Sequence, residues 1–252
     1  MSATDPAPTT APDAPLVSVV IPMHNEGAAI PDLIAGVARA LDGMASAEII
    51  AVDDGSTDDT LTRLRTAQAT QPRLRVLSHD RCGGQSAAVH SGVMAARAPI
   101  CCTLDGDGQN PPEELPKLWQ PILDDASGTV ALVAGQRQGR KDTLSKKLAS
   151  RAANAIRGRI LRDGTRDTGC GLKGFRTEAF RTLPYFDHMH RYLPALFKAH
   201  GWDVALVDVS HRPRVAGQSK YTNLGRAIAG AWDLLGVVWL IRRAKKSRAS
   251  EV

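Results

Sequence analysis

Aromatic side chains are scarce: only 4% of the 252 residues are Phe, Trp or Tyr. They do not interleave with the basic clusters, so the chain lacks a base-stacking platform, and no nucleic-acid partner is expected. Cysteine is equally sparse. Cys82, Cys101, Cys102 and Cys170 form no CxxC pair, and two of them sit side by side in an apolar run. That spacing predicts neither a disulfide framework nor a zinc site, and it fits a reducing compartment. No stretch reaches the roughly 18–20 uninterrupted apolar residues that a spanning helix needs. No GxGxxG follows the first apolar run and no GxxxxGK[ST] occurs, which removes the dinucleotide fingerprint and the P-loop. Met1 to Pro15, rich in Ala, Pro, Thr and Asp, has neither the basic start nor the apolar run of a leader or anchor, and reads as a disordered tail.

What is present is ordinary for a folded chain. Apolar residues make up 43% and charged residues 23%, which excludes a wholly disordered chain and a polytopic membrane protein. The net charge of +6 is unevenly spread. Residues 1–136 carry 8 Lys/Arg against 17 Asp/Glu, residues 137–252 carry 24 against 9, and Arg137 to Arg166 alone holds ten basic residues and two acidic ones. An acidic half suits a metal ion. A basic half suits phosphates or an anionic membrane surface, or is simply a solvated helix face.

Strand and helix patterns alternate. Val17 to Ile21 is a β-branched run closed by Pro22. Ala28 to Leu41 carries Ile30, Leu33, Ile34, Val37 and Leu41 at helical spacing. Strands are predicted at Glu48–Val52, Leu74–Leu77, Ile100–Leu104 and Thr129–Ala134. Helices are predicted at Asp59–Ala69, Gly84–Arg97 and Pro112–Leu123, with one long basic helix over 143–162. Residues 167–212 are mixed. The alternation predicts a mostly parallel α/β sheet flanked by helices, with the ligand crevice at the carboxyl ends of its strands. There stand Pro22-Met23-His24-Asn25-Glu26, Asp53-Asp54 and Asp105-Gly106-Asp107.

Asp105 and Asp107 leave an apolar strand two residues apart, so both carboxylates point one way if strand geometry persists. Gln109 adds a third oxygen. An all-oxygen set suits Mg²⁺ or Mn²⁺, although Asp-Gly-Asp-Gly is also a plain turn. An EF-hand is excluded because its twelfth position would be Pro116 rather than Glu, and no helix precedes the loop.

The ordered set PMHNE, DDGSTDDT, DGDGQNPPEELP, RDTGCGLKGFR and RVAGQSK, running from about Val17 to Lys220, resembles the inverting family 2 glycosyltransferases of GT-A fold. Within them it is most similar to the polyprenyl-phosphate branch. The resemblance implies a GT-A domain over 16–225, after the tail of 1–15, and a C-terminal amphipathic helix with a basic tail over 226–252. It implies transfer from a nucleotide-sugar donor, UDP-sugar ahead of GDP-mannose, to a polyprenyl phosphate such as undecaprenyl phosphate. By position, Pro22, His24 (commonly Tyr in the family) and Glu26 match donor contacts. Asp54 with Val52 matches the base- and ribose-reading position. Asp105, Asp107 and Gln109 match the Mg²⁺ or Mn²⁺ site, with the Gly106 backbone beside the donor. Arg137 matches an arginine near the sugar and phosphates, Arg151 one near the acceptor phosphate, and Arg214 and Lys220 residues that reach the diphosphate. Asp107, Arg137, Arg151 and Lys220 are the catalytic set so implied. The string Asp167–Arg176 is longer than the usual family form, and the paired spanning helices of many bacterial relatives are lacking.

A phosphate monoester is already largely ionised near neutral pH, so such an acceptor needs no strong general base, and none is evident. The rival acceptor, a saccharide or protein hydroxyl, would need one, and Asp167 is the candidate. A non-catalytic nucleotide-sugar-binding scaffold is the third reading. His188, His190 and His200 lack metal-ligand spacing and read as structural or acceptor-side groups. Ala227 to Ile241, apolar with Trp232 and Trp239 and followed by a basic run, suits a helix lying on anionic lipid at the inner face of the cytoplasmic membrane. It suits equally a packing helix or a homo-oligomer contact.

Overall fold

The computed structural model describes residues 14–44, 46–138, 157–212 and 223–244, the last segment for its backbone alone up to 229. Seven strands form one sheet in the order β3-β2-β1-β4-β6-β5-β7. They are β1 (Val17–Met23), β2 (Ala47–Asp53), β3 (Leu74–Ser78), β4 (Ile100–Thr103), β5 (Val130–Arg137), β6 (Lys173–Arg176) and β7 (Asp203–Val209). All pairings are parallel except those of β6, which runs antiparallel between β4 and β5. The mostly parallel sheet expected from the pattern is present, but β5 does not neighbour β4. Four residues of the mixed region, Lys-Gly-Phe-Arg, separate them.

The helices are α1 (Ile30–Ala40), α2 (Thr60–Thr70), α3 (Gln85–Ala95), α4 (Pro116–Leu123), α5 (Thr177–Arg181), α6 (Leu193–Ala199) and α7 (Asn223–Arg243). Alternation along β1 builds two core layers. Val17, Val19, Ile21 and Met23 join Ile30, Leu33, Ile34 and Val37 of α1 and Leu118 and Ile122 of α4. Val20, with Ile50 and Val52 of β2, faces Val89 and Val93 of α3 and Phe180, Leu193 and Phe197. A strand buried on both faces explains why VSVVI reads as a continuous apolar run. The adjacent Cys101 and Cys102 fall one on each layer, and none of the four cysteines is in a disulfide.

Pro22 does not end β1, as the pattern suggested; it lies inside it. The β1–β4 ladder stops at Val20–Thr103, while β1–β2 pairing continues through Pro22–Val52 to Met23–Asp53. In a parallel ladder alternate residues bond to opposite neighbours. Val20 bonds on the β4 side and Met23 on the β2 side, through Leu104 and Asp54 N–H groups. Pro22 therefore aims its missing N–H where β4 has already turned away.

The basic helix expected over 143–162 lies largely outside the described residues; 157–161 are helical. No helix among the described residues is long and apolar enough to cross a membrane. Helix α7 is apolar on two faces rather than one. Val237, fully buried, and partly buried Leu234 and Ile241 pack on the second core layer. Trp232, Leu235 and Trp239 stand on the other side, 72, 63 and 61% exposed. His188 Nδ1 meets Asp233 Oδ2 at 2.8 Å, and the Tyr192 hydroxyl donates to the Gly230 carbonyl at 3.3 Å. These bonds tie the inner face down.

Candidate active site

The three polar strings converge as expected. The loops after β1, β2 and β4 open onto one cavity of about 330 Å³, lined by Pro22, Met23, His24, Glu26, Asp54, Gln85, Ala88, Asp105, Gly106 and Asp107. Parallel strands ending on the same side bring them there. Val52 is buried beneath, in β2. A Cβ on Gly106 would stand 2.7 Å from the Pro22 carbonyl oxygen, so only glycine lets the β4 rim close against β1.

Asp105 is the most constrained group of the β4 rim. Gln85 Nε2 donates to its Oδ1 at 2.7 Å. A Cβ on Gly171 would fall 2.3 Å from the carboxylate, so that position has no room for a side chain. Burial, and then the neighbouring charge of Asp107, push the Asp105 carboxyl above the ordinary range, while Lys173 pulls the other way. Lys173 on β6 is only 4% exposed. Its ammonium donates to the Cys170 carbonyl, and burial pushes its pKa down against the attraction of nearby acidic groups. Asp107 Oδ1 accepts the Gln109 N–H at 3.1 Å, and the Gln109 carbonyl accepts the Arg212 N–H at 2.9 Å. Asp107 also lines a second cavity of about 360 Å³ with Glu26, Asp32, Arg39, Glu113 and Arg212.

Asp54 is built differently. Its Oδ1 accepts His79 Nδ1–H at 2.7 Å and Gly83 N–H at 2.9 Å. Its Oδ2 accepts Gly84 N–H at 2.8 Å and the Cys82 thiol at 3.3 Å. Burial pushes its carboxyl up, but these donors outweigh burial and hold it below the ordinary range. Much of Asp54 thus serves to fasten the 79–84 turn. His24 Nδ1–H donates to the Asp54 carbonyl at 2.8 Å.

Arg137, at the end of β5, is clamped by Asp167. Nε reaches Oδ2 at 2.6 Å and Nη2 reaches Oδ1 at 2.9 Å. Gln136 Oε1 accepts the backbone N–H groups of Arg166 and Asp167, which fixes the loop. The pair holds the arginine charge against the buried rim, and the attraction outweighs the cost of burial. In the basic stretch, Arg157 pairs with buried Asp163, which spends that charge inside the fold, and exposed Arg166 pairs with Asp208 at 2.9 Å. Arg151, Arg214 and Lys220 lie outside the described residues.

Three contributors were not singled out from the sequence: Gln85, Lys173 and Ser86, whose Oγ lies 2.7 Å from His190 Nδ1. Gly83-Gly84 before a helix was the one local signal, since Gln85 and Ser86 open α3 there. Lys173 had none, because its burial depends on β6 entering the sheet. His188 meets Asp233, and His190 meets Ser86.

Residues 18–183 match glycosyl transferase family 2. A dodecaprenyl-phosphate galacturonate synthase of Rhizobium johnstonii is 33% identical over 90% of this chain and 67% of its own length. Undecaprenyl-phosphate 4-deoxy-4-formamido-L-arabinose transferases of Yersinia pestis and Aeromonas hydrophila are 34 and 33% identical. They align over 87 and 83% of this chain and 66 and 64% of their own lengths. The chain therefore spans about two thirds of the length of these curated relatives. Among solved structures, glucosyl-3-phosphoglycerate synthase of Mycobacterium tuberculosis, crystallised with Mn²⁺, UDP-glucose and glycerol 3-phosphate, superposes with a TM-score of 0.66. It is 22% identical, over 92% of this chain and 82% of that one, a likeness that establishes the GT-A type of fold. The chain belongs to glycosyl transferase family 2.

Proposed function

We propose that this family 2 glycosyltransferase moves a sugar from a nucleoside diphosphate sugar, UDP-linked by preference, to a polyprenyl phosphate such as undecaprenyl phosphate, with inversion. The observation that carries the reading is the pair Asp105 and Asp107, which face one cavity together with Pro22, His24, Glu26 and Asp54. The names of the curated relatives support the acceptor class.

The residues fit a divalent cation. Two carboxylates crowd the rim, and the Asp107 charge raises Asp105, a repulsion that a cation relieves. Asp105, Asp107 and Gln109 would hold Mg²⁺ or Mn²⁺, which when bound supplies positive charge to the departing diphosphate. The other roles belong to the chain. Gln85 fixes the Asp105 carboxylate, and Gly106 lets the rim approach the donor. Arg137 adds a fixed cation beside the reacting groups, preorganised by Asp167. Arg214 and Lys220 are proposed for the diphosphate, and Arg151 for the acceptor phosphate.

A phosphate acceptor is favoured over a hydroxyl by the state of Asp167. Both its oxygens are engaged by Arg137, so it is a poor proton acceptor. The outward stripe Trp232, Leu235 and Trp239, with Arg242 and Arg243 in the last turn, suits a helix resting on anionic lipid. That would place the enzyme peripherally, at the inner face of the cytoplasmic membrane. Incubating the protein with nucleotide sugars, undecaprenyl phosphate and Mg²⁺ or Mn²⁺, and weighing the lipid product, tests the reading. A glycosylated lipid phosphate is expected. Product formed only on a hydroxyl acceptor would refute it.

A further inference from the structure

The rim of β2 gathers three side chains that no spacing along the chain announces: His24 from the loop after β1, Asp54 after β2 and Cys82 after β3. One ligand atom from each lies within 4.8 Å of the others. Their surroundings are already arranged. The Asp54 carbonyl accepts His24 Nδ1–H at 2.8 Å, which fixes the tautomer and leaves Nε2 with the lone pair. A ring nitrogen bonded to a carbonyl is the usual outer support of a metal-binding imidazole. Among the described residues, Nε2 is met by a long 3.3 Å contact from the Asn25 amide. On the carboxylate, Oδ1 is filled by His79 and Gly83, whereas Oδ2 holds Gly84 N–H and a 3.3 Å contact from the Cys82 thiol. A thiol proton is the weakest of those four donors. Exchanging it for a dication turns Sγ and Oδ2 from a donor–acceptor pair into two ligands.

We propose that His24, Asp54 and Cys82 form a binding site for a thiophilic divalent cation, Zn²⁺ by its chemistry, at the wall of the donor cavity. On binding, the Cys82 S–H bond breaks and its proton leaves to solvent. Bonds form from the ion to Sγ, to Nε2 and to a carboxylate oxygen, and no group changes oxidation state. Thiolate and carboxylate together balance the ion's charge, and a tetrahedral ion keeps its fourth position for water. The all-oxygen set at Asp105 and Asp107 selects hard ions instead, so the two sites take different metals. Because His24 and Asp54 line the 330 Å³ cavity, the bound ion excludes the nucleotide; this last clause rests on the donor reading above.

The test uses the full chain, Co²⁺ as a spectroscopic probe and Zn²⁺ for affinity, with Cys82→Ser, His24→Phe and Asp107→Asn. The expected result is a thiolate-to-Co²⁺ charge-transfer band, one proton released per ion and one Zn²⁺ per chain. Cys82→Ser should abolish the band, weaken Zn²⁺ at least ~100-fold and leave Mg²⁺-supported transfer unchanged, since Cys82 is exposed and outside the proposed machinery. His24→Phe should weaken Zn²⁺ as well, and Asp107→Asn should not. A wild-type spectrum without the band overturns the site. So does equal Zn²⁺ affinity in wild type and Cys82→Ser, or loss of Zn²⁺ in Asp107→Asn alone. Added UDP should weaken Zn²⁺ binding. If band and affinities stand but UDP has no effect, the cation site holds and the placement of the donor fails.

Discussion

Two carboxylates sit at equivalent places in this fold, Asp54 after β2 and Asp105 after β4, and their surroundings drive them in opposite directions. Asp54 is met by four donors from its own chain and is held below the ordinary range. Asp105 has Gln85 as a close donor, Asp107 as a like-charged neighbour and a buried setting, and is pushed above it. The same residue type at the same rim is thus favoured as a carboxylate in one case and disfavoured as one in the other. A carboxylate pushed up in this way suits a positive charge supplied from outside the chain. Lys173 makes the contrast sharper. A cation sealed behind the β4 rim lightens the Asp105 charge without cancelling it.

The largest effect that would break this contrast is expected at the second carboxylate of the β4 rim. Asp107→Asn should lower transfer by about 10³-fold with little change in melting temperature. A loss of stability with activity retained would reverse the two roles. Asp54→Asn should do the opposite. An amide offers one acceptor oxygen where the carboxylate offers two, so the 83–84 turn loses a charge-assisted bond, at a cost of roughly 2–3 kcal/mol in denaturant unfolding. Donor KM should rise more than kcat falls.

A smaller effect is expected from pH. The folded pKa of Asp54 is lowered, so its contribution to stability is present above the ordinary 3.8 and is lost as pH falls through the folded value. Asp105 is raised from 3.8, so ionising it costs stability as pH rises through its folded value, and acid relieves that cost. Melting curves of Asp54→Asn should therefore depend less on pH below 4 than wild type, whereas Asp105→Asn should differ from wild type above 4, where it lacks the stability that wild type gains as pH falls. The smallest expected effect on the catalytic domain itself is at the outer face of α7. Changing Trp232, Leu235 and Trp239 to Ser should leave melting within about 0.5 kcal/mol of wild type and cut sedimentation with anionic vesicles by about tenfold. Unchanged sedimentation would assign that face to something other than lipid.

Much of this was legible without coordinates. The five strand patterns between Val17 and Ala134 each mark a strand, because buried parallel strands demand short apolar runs. The strings PMHNE, DD and DGD lie at the rim for the same topological reason. Residues 167–212 were not legible, because Lys173–Arg176 is a strand only by pairing with β4 and β5, and four residues carry too little pattern. Arg137 was expected at the site, but its clamp by Asp167 depends on a loop 30 residues later.

The linear order of residues determined the fold class, the family and the loops that bear the chemistry, because hydrophobic periodicity and turn residues act over short range. Only the tertiary structure decided which carboxylate is fastened below its ordinary range and which is pushed above it, that α7 has an inner and an outer face, and that His24, Asp54 and Cys82 meet despite having no shared motif. Those outcomes depend on burial and on partners far apart in the chain, and desolvation and electrostatic pairing are properties of the packed molecule.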